Sequence, residues 1–215
     1  MLLLHGLGQT PDAWAPVLRE LEREAVCPDL FAPLRSGSAE YPRLYKAFAG
    51  SCGKLAEPLH LCGLSLGGIL ALQYAAEHPE RVGSLVLIGT QYAMPRTALK
   101  VQNLMFRLMP AGAFRQMGLS KAEAIGLAGS MLDLDFRGDL GKIVCPALVL
   151  CGERDRANRK AALGLRENLP RAELRWIAGA GHEVNVDAPA ELGKALRTFY
   201  RDIGAAQQAE AGSCR

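Results

Sequence analysis

Pro58-Leu59-His60-Leu61-Cys62-Gly63-Leu64-Ser65-Leu66-Gly67-Gly68-Ile69-Leu70 is the stretch from which the fold is read. Pro58–Cys62 reads as a buried strand. Gly63-Leu64-Ser65-Leu66-Gly67-Gly68 then turns into an apolar helix that runs to about Glu77, and Pro79 cannot continue it. Gly63-Leu64-Ser65-Leu66-Gly67 matches Gly-x-Ser-x-Gly between a strand and a helix. Such a turn lifts the serine clear of the backbone in strained dihedrals. Only small residues two places to either side avoid a clash. The helix N-terminus behind the serine favours developing negative charge.

Working outward, strand and helix alternate. Met1–Leu4 reads as a short strand, followed by the loop His5-Gly6-Leu7-Gly8-Gln9. Thr10 and Pro11 open a helix with Trp14, Val17, Leu18 and Leu21 on one face. Ala25–Leu30 is a second strand, weakened by Pro28, and Ala32–Glu40 is a loop. Pro42–Cys52 is a helix, and Ser84–Ile88 is a continuous apolar strand. The rhythm resumes with strand Ala147–Cys151, helix Ala157–Leu169, strand Glu173–Ile177 and helix Ala188–Tyr200. This pattern predicts an α/β fold, with a mostly parallel sheet of about six strands and helices on both faces. Residues 91–138 break the alternation, being helical and rich in Met, Leu and Phe. They read as a small helical cap inserted in a core of 1–90 and 139–203, with 204–215 a flexible tail.

Length and composition narrow the function. The chain has 215 residues, a prior of one domain, with 49% hydrophobic and 22% charged residues. The net charge of +3 without a basic run gives no reason to expect a nucleic-acid partner. The longest clean apolar stretch, Ile143 to Cys151, is nine residues and contains Pro146. That is far short of the roughly 18 residues of a membrane span, so no membrane partner is expected. Met1–Leu4 lacks the features of a secretory signal. Cysteines at 27, 52, 62, 145, 151 and 214 show no CxxC spacing. They read as reduced thiols of a cytoplasmic protein, and no metal site is indicated.

Ser65 needs a base to act as a nucleophile. Of the four histidines, His182 lies in Gly179-Ala180-Gly181-His182-Glu183, a glycine-rich loop after the last strand. There a side chain can bend back over the carboxyl edge of the sheet. His5, His60 and His78 read as structural. The base needs a carboxylate to hold its tautomer. Asp155 follows the strand before the histidine's, in Gly152-Glu153-Arg154-Asp155, with Glu153, Asp187, Asp133 and Asp135 as rivals. For the oxyanion hole, the candidate donors are the N–H of Leu66 and that of Leu7, in the glycine-bounded loop.

Five motifs then carry a resemblance: His5-Gly6-Leu7-Gly8, Gly63-Leu64-Ser65-Leu66-Gly67-Gly68, His78-Pro79-Glu80-Arg81-Val82, Gly152-Glu153-Arg154-Asp155 and Gly179-Ala180-Gly181-His182. Spread over nearly the whole chain, they resemble the α/β-hydrolase fold family, in its small-capped branch of esterases, thioesterases and carbon–carbon bond hydrolases. The resemblance carries over nucleophile, acid and base to Ser65, Asp155 and His182, and the oxyanion donors to Leu7 and Leu66. It implies hydrolysis of a small carboxylic ester or thioester through an acyl-enzyme, without metal or organic cofactor. A carbon–carbon hydrolase, an acyltransferase and a triad-retaining ligand receptor are the alternatives. Family members usually have two strands before the His-Gly loop. Either those strands are dispensable here or the native start lies upstream. The open edge at Ala25–Leu30 is then expected to be covered by residues 31–40 or by a partner, with a homodimer as one possibility.

The cap segment holds Met94, Leu99, Leu104, Met105, Phe106, Leu108, Met109, Phe114, Met117 and Leu119. Its bases Arg96, Lys100, Arg107, Arg115, Lys121 and Arg137 outnumber Glu123, Asp133 and Asp135. These residues form the cap's own core or, as an alternative, an apolar throat with a basic rim that would suit an acyl group on an acidic carrier.

Overall fold

The computed structural model describes residues 1–35, 37–115 and 118–213. Its elements are β1 (Leu2–Leu4), α1 (Ala15–Leu18), α2 (Tyr41–Cys52), β2 (Leu59–Leu64), α3 (Leu66–Glu77), β3 (Val82–Ile88), α4 (Arg96–Leu108), α5 (Ala111–Arg115), α6 (Lys121–Ser130), β4 (Ala147–Gly152), α7 (Arg159–Asn168), β5 (Ala172–Ile177), α8 (Val184–Asp187) and α9 (Pro189–Ser213). The five strands pair in parallel in the order β1-β2-β3-β4-β5. Each strand therefore returns through a crossover, which here is a helix or a helix-bearing loop.

Alternation along the strands sorts the core into two layers. Leu2, Leu4, Leu61, Leu85, Leu87 and Val149 face α2, α3 and α7. Leu3, Cys62, Leu64, Val86, Ile88, Leu148 and Leu150 face α1, α8 and α9. The central strands are buried on both faces along most of their length, which is why they read as largely apolar runs. Cys52, Cys62, Cys145 and Cys151 are buried free thiols. Burial pushes the Cys52 thiol up to about 12 and that of Cys151 to about 11.

Among the described residues the sheet has five strands, not about six. Ala25–Leu30 forms only one parallel bridge, Leu2 to Val26. Val26 donates to Met1 O at 2.9 Å and accepts from Leu3 N at 2.9 Å. Pro28 has no N–H to extend that ladder. The next amides turn away from it: Leu30 N–H donates to His5 Nε2 at 3.2 Å and Phe31 N–H to Asp29 Oδ1 at 3.0 Å. The edge is thus cut to a single paired residue, with Val26 itself 61% exposed. Within the chain, interruption of the strand at Pro28 limits it.

Two helix boundaries also differ from expectation. The segment after Thr10 is a 3-10 turn, Pro11–Trp14, followed by the four-residue α1, and the Thr10 side chain caps neither. Pro16, in the first turn of α1, supplies no N–H to join the preceding turn into one helix. At the other end α9 continues to Ser213, past Tyr200, where the sequence reading ends it. Cys214 and Met117 lie outside the described residues. Between β3 and β4, the described residues of 91–138 contain α4, α5 and α6 and no strand, apart from an isolated antiparallel bridge, Ala93 to Asp135.

Candidate active site

Ser65 sits between the last residue of β2 and the first of α3, at φ 53° and ψ −113°. Among the described residues it is the one non-glycine with positive φ. A conformation of that kind costs about 1–3 kcal/mol and persists only where its surroundings enforce it. Here Ser65 N–H donates to Ile88 O at 2.8 Å, tying the turn to the end of β3, and Ile69 N–H donates to Ser65 O at 3.0 Å. A Cβ on Gly63 would collide with the backbone of Gly67 and Gly68, and one on Gly67 would lie 2.6 Å from Leu4 C. Both glycines are required by close backbone approach, as the spacing predicts. The Ser65 side chain makes no hydrogen bond among the described residues.

At the same edge of the sheet, His182 Nδ1 lies 2.8 Å from Asp155 Oδ2. Asp155 is buried and His182 is half exposed. Asn158 completes the arrangement, which the sequence reading misses. Its Nδ2 donates to Asp155 Oδ1 at 2.9 Å and Oδ2 at 2.8 Å, and its N–H donates to Oδ1 at 3.3 Å. The carboxylate is therefore saturated with donors, and the proton between it and His182 is assigned to Nδ1, which leaves the Nε2 lone pair free. Burial disfavours the Asp155 carboxylate, but the hydrogen bonds from His182 and Asn158 outweigh it and hold its pKa below the usual value.

Gly89 is the second residue missed. It follows β3 with φ 54°, and a Cβ there would sit 2.9 Å from His182 Nδ1 and 3.2 Å from Asp155 Oδ2. Ile88 anchors the Ser65 backbone, and the adjacent Gly89 lies against the His–Asp pair. No hydrogen bond joins Ser65 to His182 among the described residues.

The rival carboxylates are engaged elsewhere. Glu153 accepts Gly179 N–H at 3.2 Å, and Asp187 accepts Gly181 N–H at 2.6 Å. Asp133 pairs with Arg96 at 2.6 Å, and Asp135 pairs with Arg137. Of the other histidines, His60 Nδ1 meets Ser84 Oγ at 2.8 Å, and His78 packs against the Tyr74 ring.

Leu66 is the first residue of α3, where a helix leaves its N–H without an intrahelical acceptor. Leu7 lies inside the turn closed by Gln9 N–H to Gly6 O at 3.2 Å, which leaves its own N–H out of that bond. Side chains fix this turn on both sides. Buried His5 contacts Gly6 O through Nδ1 at 3.0 Å and accepts Leu30 N–H at Nε2. Gln9, also buried, donates to Glu183 Oε1 and Asn185 Oδ1, each at 3.1 Å, and accepts from Asn185 Nδ2 at 3.2 Å. The loop after β1 is thus fastened to the loop that carries His182.

His5 can accept at Nε2 only when neutral. Burial, the largest influence, lowers its pKa, and the same holds for His60. The unfolded chain takes up these protons near pH 6.5, before the folded one does. Stability is therefore full above about pH 6.5 and declines as pH falls through the lower folded values. Thermal melting from pH 7.5 to 5 is expected to show a falling Tm, with the His5 C2–H resonance titrating below pH 6.5. A flat Tm across that window would contradict this assignment of His5.

Comparison with known proteins agrees with this architecture. A family model described as the alpha/beta hydrolase family matches residues 1–195. The chain is 28% identical to the pimeloyl-(acyl-carrier protein) methyl ester esterase of Aeromonas salmonicida, over 93% of this chain and 94% of that one. It is 24% identical to monoacylglycerol lipase abhd6-B of Xenopus laevis, over 94% and 75% respectively. Among solved structures, the esterase EaEST from Exiguobacterium antarcticum superposes with a TM-score of 0.80 at 18% identity, covering 93% of this chain and 91% of that one. With its parallel sheet, its serine turn and a family match over most of its length, the chain belongs to the alpha/beta hydrolase family.

Proposed function

We propose that this hydrolase cleaves small carboxylic esters or thioesters through an acyl-enzyme on Ser65. His182 Nε2 takes the Ser65 proton as Oγ attacks the acyl carbon. Asp155 holds the imidazole by Nδ1 and stabilises the imidazolium that forms. The N–H groups of Leu66 and Leu7 receive the oxyanion. His182 then returns the proton to the leaving group and activates water to release the acid. Asn158 positions Asp155, and its Nδ2 also lies 3.1 Å from His182 Nδ1. Residues 91–138 are read as a cap over a core formed by 1–90 and 139–203, with specificity residing in that cap.

The observation that carries this reading is the 2.8 Å contact between buried Asp155 and half-exposed His182, beside a serine held in a left-handed turn. The relatives named as a methyl ester esterase and a monoacylglycerol lipase support an ester as the substrate. The test is turnover of p-nitrophenyl esters of increasing chain length by the purified protein. Saturable hydrolysis, with a preferred acyl length, is expected. Labelling of Ser65 by a fluorophosphonate without turnover of any ester or thioester would move the reading to carbon–carbon cleavage or to ligand reception.

A further inference from the structure

Helix α4 carries an apolar face that no described residue covers. Val101, Leu104, Met105 and Leu108 are 53%, 59%, 58% and 80% exposed. Their spacing of i, i+3, i+4, i+7 places them on one arc of about 100°. Single exposed leucines are ordinary, but a continuous stripe on one helix marks a surface that meets something. The opposite side of α4 is occupied: it packs on α6, and Phe106 meets Phe114 edge-on at 5.4 Å. The helix is therefore held to the body of the protein by one face and presents the other outward.

Charge runs along one flank of the stripe. Arg96, Lys100 and Arg107 share one side of the helix and are exposed, and α4 contains no acidic residue. Arg96 pairs with Asp133 at 2.6 Å, while Lys100 and Arg107 have no ion-pair partner among the described residues. Lys121 adds positive charge at the carboxyl end, donating to Arg107 O at 2.6 Å and Met109 O at 2.7 Å.

We propose that this face of α4 docks the protein onto the anionic surface of a lipid bilayer. The helix lies in the plane of the interface, with the stripe in the acyl boundary and the basic row among the phosphates. A convex ridge of aliphatic side chains and one Met, with no aromatic anchor or hydrogen-bonding group in it, suits a fluid surface that moulds to it. A protein groove would draw its affinity from buried aromatic or Arg anchors. A second copy would set two acid-free basic rows against each other. No described helix is long and apolar enough to cross a membrane; lying on one is a different demand. The proposal extends the ester-hydrolase reading by bringing its site to lipid. Its test does not depend on that reading, because α4 contains none of the residues assigned to the chemistry.

The experiment is co-sedimentation with phosphatidylcholine vesicles, with and without phosphatidylglycerol, at low and high salt. The wild type and Ser65→Ala should bind the anionic vesicles equally well, and binding should weaken with salt. Leu104→Glu and Leu108→Glu should each lower the partition coefficient by about tenfold or more, and Lys100→Ala and Arg107→Ala by about fivefold each. All four positions are exposed, so the variants should melt with the wild type, which a thermal scan checks. In a Leu108→Trp variant the emission should shift to the blue on adding anionic vesicles. Failure to sediment, or binding unchanged by the stripe substitutions, overturns the proposal. So does a dimer, or capture of an acidic carrier protein, that is lost with Leu104→Glu while no variant binds vesicles.

Discussion

Replacing Ser65 with Ala is expected to lower kcat/KM for a p-nitrophenyl ester by about ten-thousandfold or more, with the Tm shifted by no more than about 2 °C. The two halves of this expectation have separate causes. The loss follows from removing the atom that forms the acyl bond; the oxyanion donors remain and leave a small residue of rate. The unchanged stability follows from local geometry. Ser65 Oγ has no hydrogen bond among the described residues, and the turn is held by the backbone bonds to Ile88 O and from Ile69 N. Alanine keeps a single Cβ at the same positive φ, so the strain is neither relieved nor increased. The measurement pairs steady-state kinetics with a thermal scan of the same preparation. Undiminished turnover by a folded variant would remove Ser65 from the mechanism.

Asp155→Asn should cost about a thousandfold to ten-thousandfold in kcat/KM, for a reason that this structure makes specific. Asn158 Nδ2 donates to both oxygens of residue 155, but its backbone N–H donates to Oδ1 alone. In the variant the amide oxygen therefore takes the Oδ1 position, and the amide NH2 faces His182 Nδ1. That imidazole nitrogen must then accept, its proton moves to Nε2, and Nε2 can no longer act as a base. Glu153→Gln and Asp187→Asn are the controls. Their carboxylates accept Gly179 and Gly181 N–H, and an amide oxygen can do the same. Each should change kcat/KM by less than about threefold, since a surface substitution away from the reacting groups perturbs little. A larger loss in either control than in Asp155→Asn would give the orienting role to another carboxylate.

The parts of the site that were legible in the sequence are those fixed by neighbours in the chain. Gly63 and Gly67 flank Ser65 because the backbones of β1 and α3 crowd the turn, and glycine spacing records that crowding directly. Asn158 stands three residues after Asp155, the spacing of a side chain that caps a following amide, and could have been read from that signal. Gly89 could have been read as a glycine where a strand ends. Gln9 and Asn185 carry no such trace, since 176 residues separate them and only the closed sheet brings them together. The strand assigned to Ala25–Leu30 failed on one residue: its apolar content suits a strand, but Pro28 withholds the donor that a ladder needs.

The sequence by itself determined the layered α/β architecture and the position of the strained serine turn. Hydrophobic period and the steric demands of glycine are local properties, and they act before any long-range contact forms. Only the tertiary structure decided which carboxylate reaches His182, because five acidic side chains were available and distance in the chain does not rank them. It also decided which face of α4 is left bare. Periodicity marks apolar positions on that helix, but α5 and α6 cover only one side of it, and a helix cannot specify from its own residues which of its faces a neighbour will bury.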